Sequence, residues 1–471
     1  LVGGFFGYKY LSPTKQIESI AVMPFVNESG NADVEYLSDG MTETLIRSLS
    51  QLANLQVKPR SSVFRYKGKE TDSKTVGKEL NVQAILNGRV VQRGDQLTLD
   101  LELIDVQKDV VLWSEQYNRK QTDLVSLQSE IAKDVSTKLK LRLSGTDEAK
   151  VTKTSTVNPE AYQAYLKGRH YWNKRTSEDM QKAVEQFNLA VQKDPNYALA
   201  YVGLADCYVL AETYLKIPLK ESLPRAKAYA TKALEIDDSL GEAYATLGLI
   251  NGNSWNWAES EKAFKRSIEL SPNYATARHW YSRVLAVLGR KDEALAEIKR
   301  ANELDPLSLV IMSNVSDRYQ DIGDYQSAIE QCRKLIEIDP GFFLVHNSLA
   351  RIYLDQKRPT EALAAAEKAR DNPGTTVYLG MAYARLERRN EALAMIKILE
   401  ERFANGEERA ATNIARVYVE LGDKEKTFEW LEKAFQVRDA ELHWFRVGPT
   451  FDPIRDDPRY KDLLKRMNLP E

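Results

Sequence analysis

Ser271-Pro272-Asn273-Tyr274, Asp305-Pro306 and Asp339-Pro340 set the period of this chain, with prolines 34 residues apart. Between each pair the same phrase returns: an apolar run, a short polar break, then Glu-Ala-Leu or its equivalent. One break is Leu288-Gly289-Arg290-Lys291-Asp292, followed by Glu293-Ala294-Leu295-Ala296-Glu297-Ile298. The next is Ile322-Gly323-Asp324-Tyr325, followed by Ser327-Ala328-Ile329-Glu330. Each proline lacks an amide donor and has a fixed φ, so it ends one helix pair and starts the next.

A 34-residue helix–turn–helix period closed by Asp-Pro resembles the tetratricopeptide (TPR) repeat. Working outward, the period extends to about eight helix pairs over residues 158–437, beginning at Asn158-Pro159-Glu160-Ala161-Tyr162. Ala and Gly recur where two helices must cross closely, and Tyr, Phe and Leu fill the gap to the next pair. The aromatic stripe therefore reads as core and not as a ligand box. Two units are irregular. The second has a stretched turn around Leu215–Leu223, and the third carries Trp255 and Trp257 in its turn. After Arg438 the period fails. Trp444-Phe445-Arg446-Val447 and Phe451-Asp452-Pro453-Ile454 lead to Leu463-Leu464-Lys465-Arg466-Met467, a terminal cap (438–471) over the last repeat.

At 471 residues the chain is too long for one compact core. Charged residues make up 28% and hydrophobic residues 43%, a globular balance, and a net charge of −2 gives no reason to expect nucleic acid on this segment. Cys207 and Cys332 fall three repeats apart, beyond disulfide reach, and read as small buried hydrophobes.

Upstream of the repeats the pattern changes. Ile17 to Phe25 reads as a buried strand. Ser38 or Asp39 reads as the N-cap of a helix whose apolar face is Met41, Leu45, Ile46, Leu49 and Leu52. A short strand follows at Leu55-Gln56-Val57, then a helix through Thr75–Leu80. Ala84–Val91, a turn at Arg93-Gly94-Asp95 and Leu97–Asp105 alternate with period two as a hairpin, and Val110-Val111-Leu112-Trp113 adds a strand. Leu124 to Leu141 closes the unit as an amphipathic helix. The fold class expected is a small mixed-sheet α/β domain (16–145), a polar linker (146–157) and an all-α solenoid.

Several motifs of this domain resemble a known family. Ser19-Ile20-Ala21-Val22-Met23-Pro24-Phe25, Tyr36-Leu37-Ser38-Asp39-Gly40-Met41-Thr42-Glu43 and Phe64-Arg65-Tyr66-Lys67-Gly68-Lys69 are similar to the TolB amino-terminal-like (FlgO-like) domain. Asn87-Gly88-Arg89, Leu112-Trp113-Ser114-Glu115 and Leu127-Gln128-Ser129-Glu130 fit the same pattern. The resemblance implies a bacterial membrane-anchored signalling protein. In such proteins this module and a right-handed TPR solenoid lie on the extracytoplasmic (periplasmic) side of the inner membrane. The cytoplasmic output is a serine/threonine kinase, a CadC-like winged-helix domain or an adenylate cyclase. Residues 1–15, opening Leu1-Val2-Gly3-Gly4-Phe5-Phe6-Gly7-Tyr8 and followed by Lys9 and Lys15, read as the trailing end of a single-pass anchor. The alternative is a free-standing periplasmic scaffold or assembly factor.

Motifs for chemistry are absent from the sequence. His170, His279, His346 and His443 lie in different helical units, without metal spacing. Phosphate-loop and kinase signatures do not occur, and Asp39-Gly40 reads as a helix cap rather than a catalytic pair. No catalytic, cofactor-binding or metal-binding residue is assigned, no cofactor is expected, and the segment reads as non-enzymatic. What remains is surface for a protein or peptide partner. First helices of TPR pairs line a concave face, and His279, Arg283, Asp317, Asn347 and Arg351 fall there, off the packing positions. The Lys/Asn carboxylate clamp of chaperone-binding TPRs is approximated only by Asn314. The donor-rich set instead suggests a partner segment offering carboxylates or carbonyls.

Overall fold

The first strand is the fully buried run β1 (Ser19–Val22), which pairs in parallel with β3 (Gln56–Val57) on one side and β4 (Ala84–Arg93) on the other. These elements belong to a computed structural model that describes residues 17–52, 54–69, 71–139 and 145–470. The anchor reading of residues 1–15 lies outside them. The chain divides after Lys167 into two compact units, 1–167 and 168–471.

In the first unit the sheet order is β3-β1-β4-β5-β6, with β5 at Gln96–Asp105, β6 at Val110–Lys120 and the short β2 (Val26–Asn27) also on β4. β4, β5 and β6 form an antiparallel meander. Its register aligns Leu86, Leu103 and Trp113 in one row and Val90, Leu99 and Tyr117 in another. All six are buried. Helix Leu124–Lys138 lies over these rows through Leu127, Ile131 and Val135, and Tyr117 donates its hydroxyl to Asp134 Oδ2 at 2.7 Å.

Two boundaries differ from the pattern-based expectation. The helix expected to be capped at Ser38 or Asp39 already begins at Glu35 and runs to Ser50. Asp39 and Gly40 are therefore interior, and Lys67 donates to the Asp39 carboxylate. Gly40 is small because Leu166 packs on it: a Cβ there would sit 2.8 Å from Leu166 Cδ2. The second difference is the linker. Residues 145–152 form a helix (Gly145–Thr152) against helix Leu124–Lys138, with Lys133 paired to Glu148 at 2.6 Å and Val151 buried. One apolar residue suffices to dock this short segment, and the surrounding Thr and Lys hide it from a composition argument. The start of the next helix also belongs to this unit. Ala161, Tyr162, Tyr165 and Leu166 are buried, and the Tyr162 hydroxyl lies 3.2 Å from Thr44 Oγ1.

The second unit is a run of helix pairs. From the third repeat on they are Gly241–Asn253 with Trp257–Leu270, Ala275–Val287 with Lys291–Leu304, and Leu309–Asp321 with Tyr325–Ile338. Phe343–Asp355 pairs with Pro359–Glu367, Thr376–Arg385 with Arg389–Ala404, and Ala410–Glu420 with Lys424–Val437. In the fourth, fifth and eighth pairs the turn places Gly289, Gly323 and Gly422 at φ +81, +85 and +73. This left-handed region is disfavoured for residues with a Cβ. The stretched turn of the second repeat holds a short helix, Ala211–Tyr214, before Leu219–Ile236.

The C-terminal cap does more than cover the last repeat. Its helix Pro458–Arg466 lies on the eighth pair, where Arg459 and Arg466 stack over Phe428 and Phe435 at 4.0 and 3.9 Å. The cap also reaches the third and fourth repeats. Arg446 Nη1 donates to the Val287 carbonyl at 3.0 Å, and the Met467 carbonyl accepts from Trp257. The eighth pair meets the third as well, where Trp255 stacks on Phe435 with centroids 5.1 Å apart. The array curls until its end touches its own earlier repeats.

Candidate functional site

That curl encloses a cavity of about 1580 Å³. Its walls come from the first helices of the fourth to eighth repeats, the second-repeat insertion and the cap. Eleven lysines and arginines line it against seven carboxylates, in a chain whose net charge is −2. The positive excess is therefore local.

All five residues assigned to the concave face from the repeat register line this one cavity, as does Asn314. Their states differ from one another. His279 and Asn347 are buried, at 8% and 7% exposure. Asn347 accepts a hydrogen bond from Thr375 Oγ1 at 2.8 Å, so its carbonyl oxygen is engaged. Arg351 pairs with Asp317 of the preceding repeat and donates Nε–H to Gln320 Oε1 at 2.9 Å. Asp317 also accepts from Ser348 at 3.3 Å. These contacts knit the fifth and sixth repeats together. Arg283 is different: among the described residues no carboxylate lies within ion-pair distance of it, and its guanidinium sits 5.6 Å from the Trp444 ring centroid.

Burial lowers the Arg283 pKa; the Glu441 and Asp317 charges oppose that, while Arg318 and Arg409 reinforce it. Burial, with the Arg283 charge beside it, holds His279 down at about 3, so its imidazole is neutral at physiological pH. Its Nε2 has no hydrogen-bond partner.

The period alone does not reveal the rest of the site. Arg318, next to the assigned Asp317, is 2% exposed, pairs through Nε with Asp321 at 2.7 Å and sits 5.3 Å from the Trp444 ring. Arg409 pairs with Glu212 at 2.8 Å across 197 positions, which explains the stretched turn of the second repeat: it carries an acid to the far side of the curl. Glu441 lies 3.7 Å from Arg416. Burial raises its pKa, but Arg416, Arg409 and Arg283 overcome that and keep it below the ordinary range. Trp444 and Glu441 come from the aperiodic end, where no repeat register marks them as inward. Among the described residues no group of three or more His, Cys, Asp or Glu side chains has metal-holding geometry. No described helix is long and apolar enough to cross a membrane.

Residues 254–308 and 316–374 match one tetratricopeptide-repeat family profile, and residues 408–440 match another. The second unit carries TPR repeats. Residues 15–134 match the profile of the HilA/YgeH-like transcriptional regulator second domain, so the N-terminal region fits a regulator family. Among curated proteins, the chain is 30% identical over 235 residues to a protein named adenylate cyclase 3 in Rhizobium meliloti (strain 1021), covering 49% of this chain and 40% of that one. It is 25% identical over 301 residues to the transcriptional regulator HilA of Salmonella typhimurium (strain LT2), covering 63% and 52%. The chain thus spans about half the length of these relatives or less. A thermophilic TPR protein of Thermus thermophilus is 18% identical, covering 41% of this chain and 99% of that one, at TM-score 0.35. A tetratricopeptide repeat protein from Parabacteroides merdae is 16% identical, covering 59% and 99%, at TM-score 0.38. TPR repeats are protein-interaction modules, and that is the general role of the second unit.

Proposed function

We propose that this chain is the non-enzymatic interaction region of a longer bacterial signalling or transcription-regulatory protein, and that a partner segment bearing carboxylates docks inside the curl of its repeats. One observation carries this reading: the local excess of cations lining the enclosed cavity. Desolvated cations attract acidic segments and orient them before contact. In this reading the first unit is the TolB amino-terminal-like module. It follows a single upstream membrane span on the extracytoplasmic side, and a kinase, winged-helix or cyclase domain on the remainder of the protein receives the signal. The likeness to regulators and to an adenylate cyclase, of which the matched part covers 52% and 40%, supports an output domain elsewhere.

The test is site-specific photo-crosslinking in the cells that make the protein. Val310 lines the cavity and is 46% exposed, whereas Ile398 is 42% exposed and lies outside its lining. A crosslinker at Val310 is expected to trap a defined partner that one at Ile398 does not. Equal trapping at both positions, or at neither, rejects the inner cavity as the docking surface. Protease protection of the first unit in intact cells, lost on outer-membrane permeabilisation, checks the location.

A further inference from the structure

Eight arginines among the described residues line the cavity, and six of them have a carboxylate beside them. Arg318 has Asp321 at 2.7 Å, Arg409 has Glu212 at 2.8 Å, Arg416 has Glu441 at 3.7 Å, Arg455 has Asp452 at 2.6 Å, Arg351 has Asp317 and Arg402 has Glu407. Arg446 donates instead to the Val287 and Pro470 carbonyls at 3.0 and 2.9 Å. Arg283 has no carboxylate within ion-pair distance among the described residues, only the Trp444 ring. Arg283 is therefore the half-buried guanidinium of this wall that has neither a carboxylate nor a carbonyl partner among the described residues. A buried charge without a counter-ion is costly, and folding alone gives no reason to keep one. Two buried nitrogens lie alongside: Arg318 Nη1, a donor, and His279 Nε2, a donor in the tautomer that carries its proton there. Both belong to side chains more than nine-tenths buried, line the same cavity, and have no hydrogen-bond partner among the described residues.

We propose that His279, Arg283 and Arg318, above the ring of Trp444, form a subsite for a single carboxylate group of an acidic peptide segment. One carboxylate supplies the counter-ion that Arg283 lacks, through charge-assisted hydrogen bonds. Two carboxylate oxygens satisfy the two orphan donors while pairing with Arg283, as charge-assisted bonds that are shorter and stronger than neutral ones. His279, being neutral, adds an N–H without adding charge. The source is a segment and not a free metabolite for two reasons. The cavity, about 1580 Å³, exceeds the roughly 300–1,000 Å³ of small-molecule sites. Lys291 and Lys461 also line it, with no carboxylate partner among the described residues, so further acids along a chain find counter-ions. This subsite rests on the cavity being the docking surface.

The experiment uses the full chain with fluorescein-labelled pentaglutamate, glutarate and inorganic phosphate as probes at constant ionic strength. Pentaglutamate is expected to bind, Arg283→Met to weaken it at least tenfold, and His279→Gln to weaken it less. Arg283→Met, which removes an uncompensated buried charge, is expected to melt at or above the wild-type temperature without ligand, whereas loss of a structural arginine lowers it. Arg283→Met binding like wild type, while Val310→Trp blocks binding, overturns the subsite and leaves the cavity reading intact. Binding indifferent to both changes overturns both. Glutarate binding as tightly as pentaglutamate overturns the segment as the source, and phosphate displacing pentaglutamate better than glutarate overturns the carboxylate.

Discussion

Trp257 donates its indole N–H to the main-chain carbonyl of Met467 at 2.8 Å, across 210 positions of sequence. Its ring also meets His443 edge-on, with centroids 5.8 Å apart. The third repeat thus holds the tail that follows the eighth, and this latch gives the inner cavity its closed side. Trp257→Phe keeps most of the apolar contact but leaves the Met467 carbonyl buried without its donor. A loss of about 1–3 kcal/mol is expected for an orphaned buried group. Urea unfolding read by far-UV circular dichroism measures it, and a wild-type midpoint denies the latch its role.

Gly40 and Leu166 form the corresponding close approach in the first unit. Gly40→Ala improves helix propensity by roughly 1 kcal/mol. Against this, its Cβ sits 2.8 Å from Leu166 Cδ2 and 2.9 Å from Leu166 Cβ. Overpacking of this kind costs about 1–3 kcal/mol, so the variant is expected to be less stable. Leu166→Ala added to it should recover part of the loss. A fragment ending at Lys167 should then unfold cooperatively at higher urea than one ending at Leu143. Equal midpoints for the two fragments place the end of the core before the helix at Gly145–Thr152.

These two contacts show where sequence legibility ends. Period is a local property, so the 34-residue spacing exposed the helix pairs, their crossing alanines and the inward register of His279, Arg283, Asp317, Asn347 and Arg351. Alternation likewise exposed the hairpin of β4 and β5. Closure is not local. Nothing in Trp255-Asn256-Trp257 announces a partner beyond residue 430, and Asp39-Gly40 looks like a cap because glycine used for close approach and glycine used for a turn are the same letter. For the same reason Arg283 could be placed in the site, while the absence of a counter-ion, which distinguishes it from Arg351, required the cap and the second-repeat insertion in three dimensions.

Two buried histidines set a pH dependence. Burial, reinforced by Arg283, holds both His279 and His443 at about 3. In the unfolded chain each titrates near 6.5. The unfolded state therefore binds the additional protons, and stability falls as pH drops from about 6.5 toward about 3. By pH 5 the loss is on the order of 2 kcal/mol per histidine. Asp439 works the other way: burial raises it to about 7, so its contribution is present at acid pH and fades as pH rises through that value. The double variant His279→Gln/His443→Gln is expected to flatten the decline between pH 7 and pH 5, read as urea midpoints. An unchanged slope assigns the acid sensitivity to other groups.

Glu441 supplies the sharpest test of the charge balance. Its carboxylate neutralises part of a cluster formed by Arg283, Arg409 and Arg416, which come from the fourth repeat and from the start and middle of the eighth. Glu441→Gln removes the anion that faces these three guanidiniums. It is expected to lower the melting temperature and to make that temperature more sensitive to added sodium glutarate, since an external carboxylate now has two places to act. Arg283→Met in the same chain removes one of the cations that Glu441 balanced. The two changes should therefore be strongly non-additive: the double variant is expected to melt above Glu441→Gln alone and close to wild type. Groups in one charge network show coupling of about 0.5–3 kcal/mol, whereas independent sites add within about 0.5 kcal/mol. Additive melting shifts in this cycle mean that Arg283 and Glu441 do not share a field, and the charge balance argued for this wall fails with it.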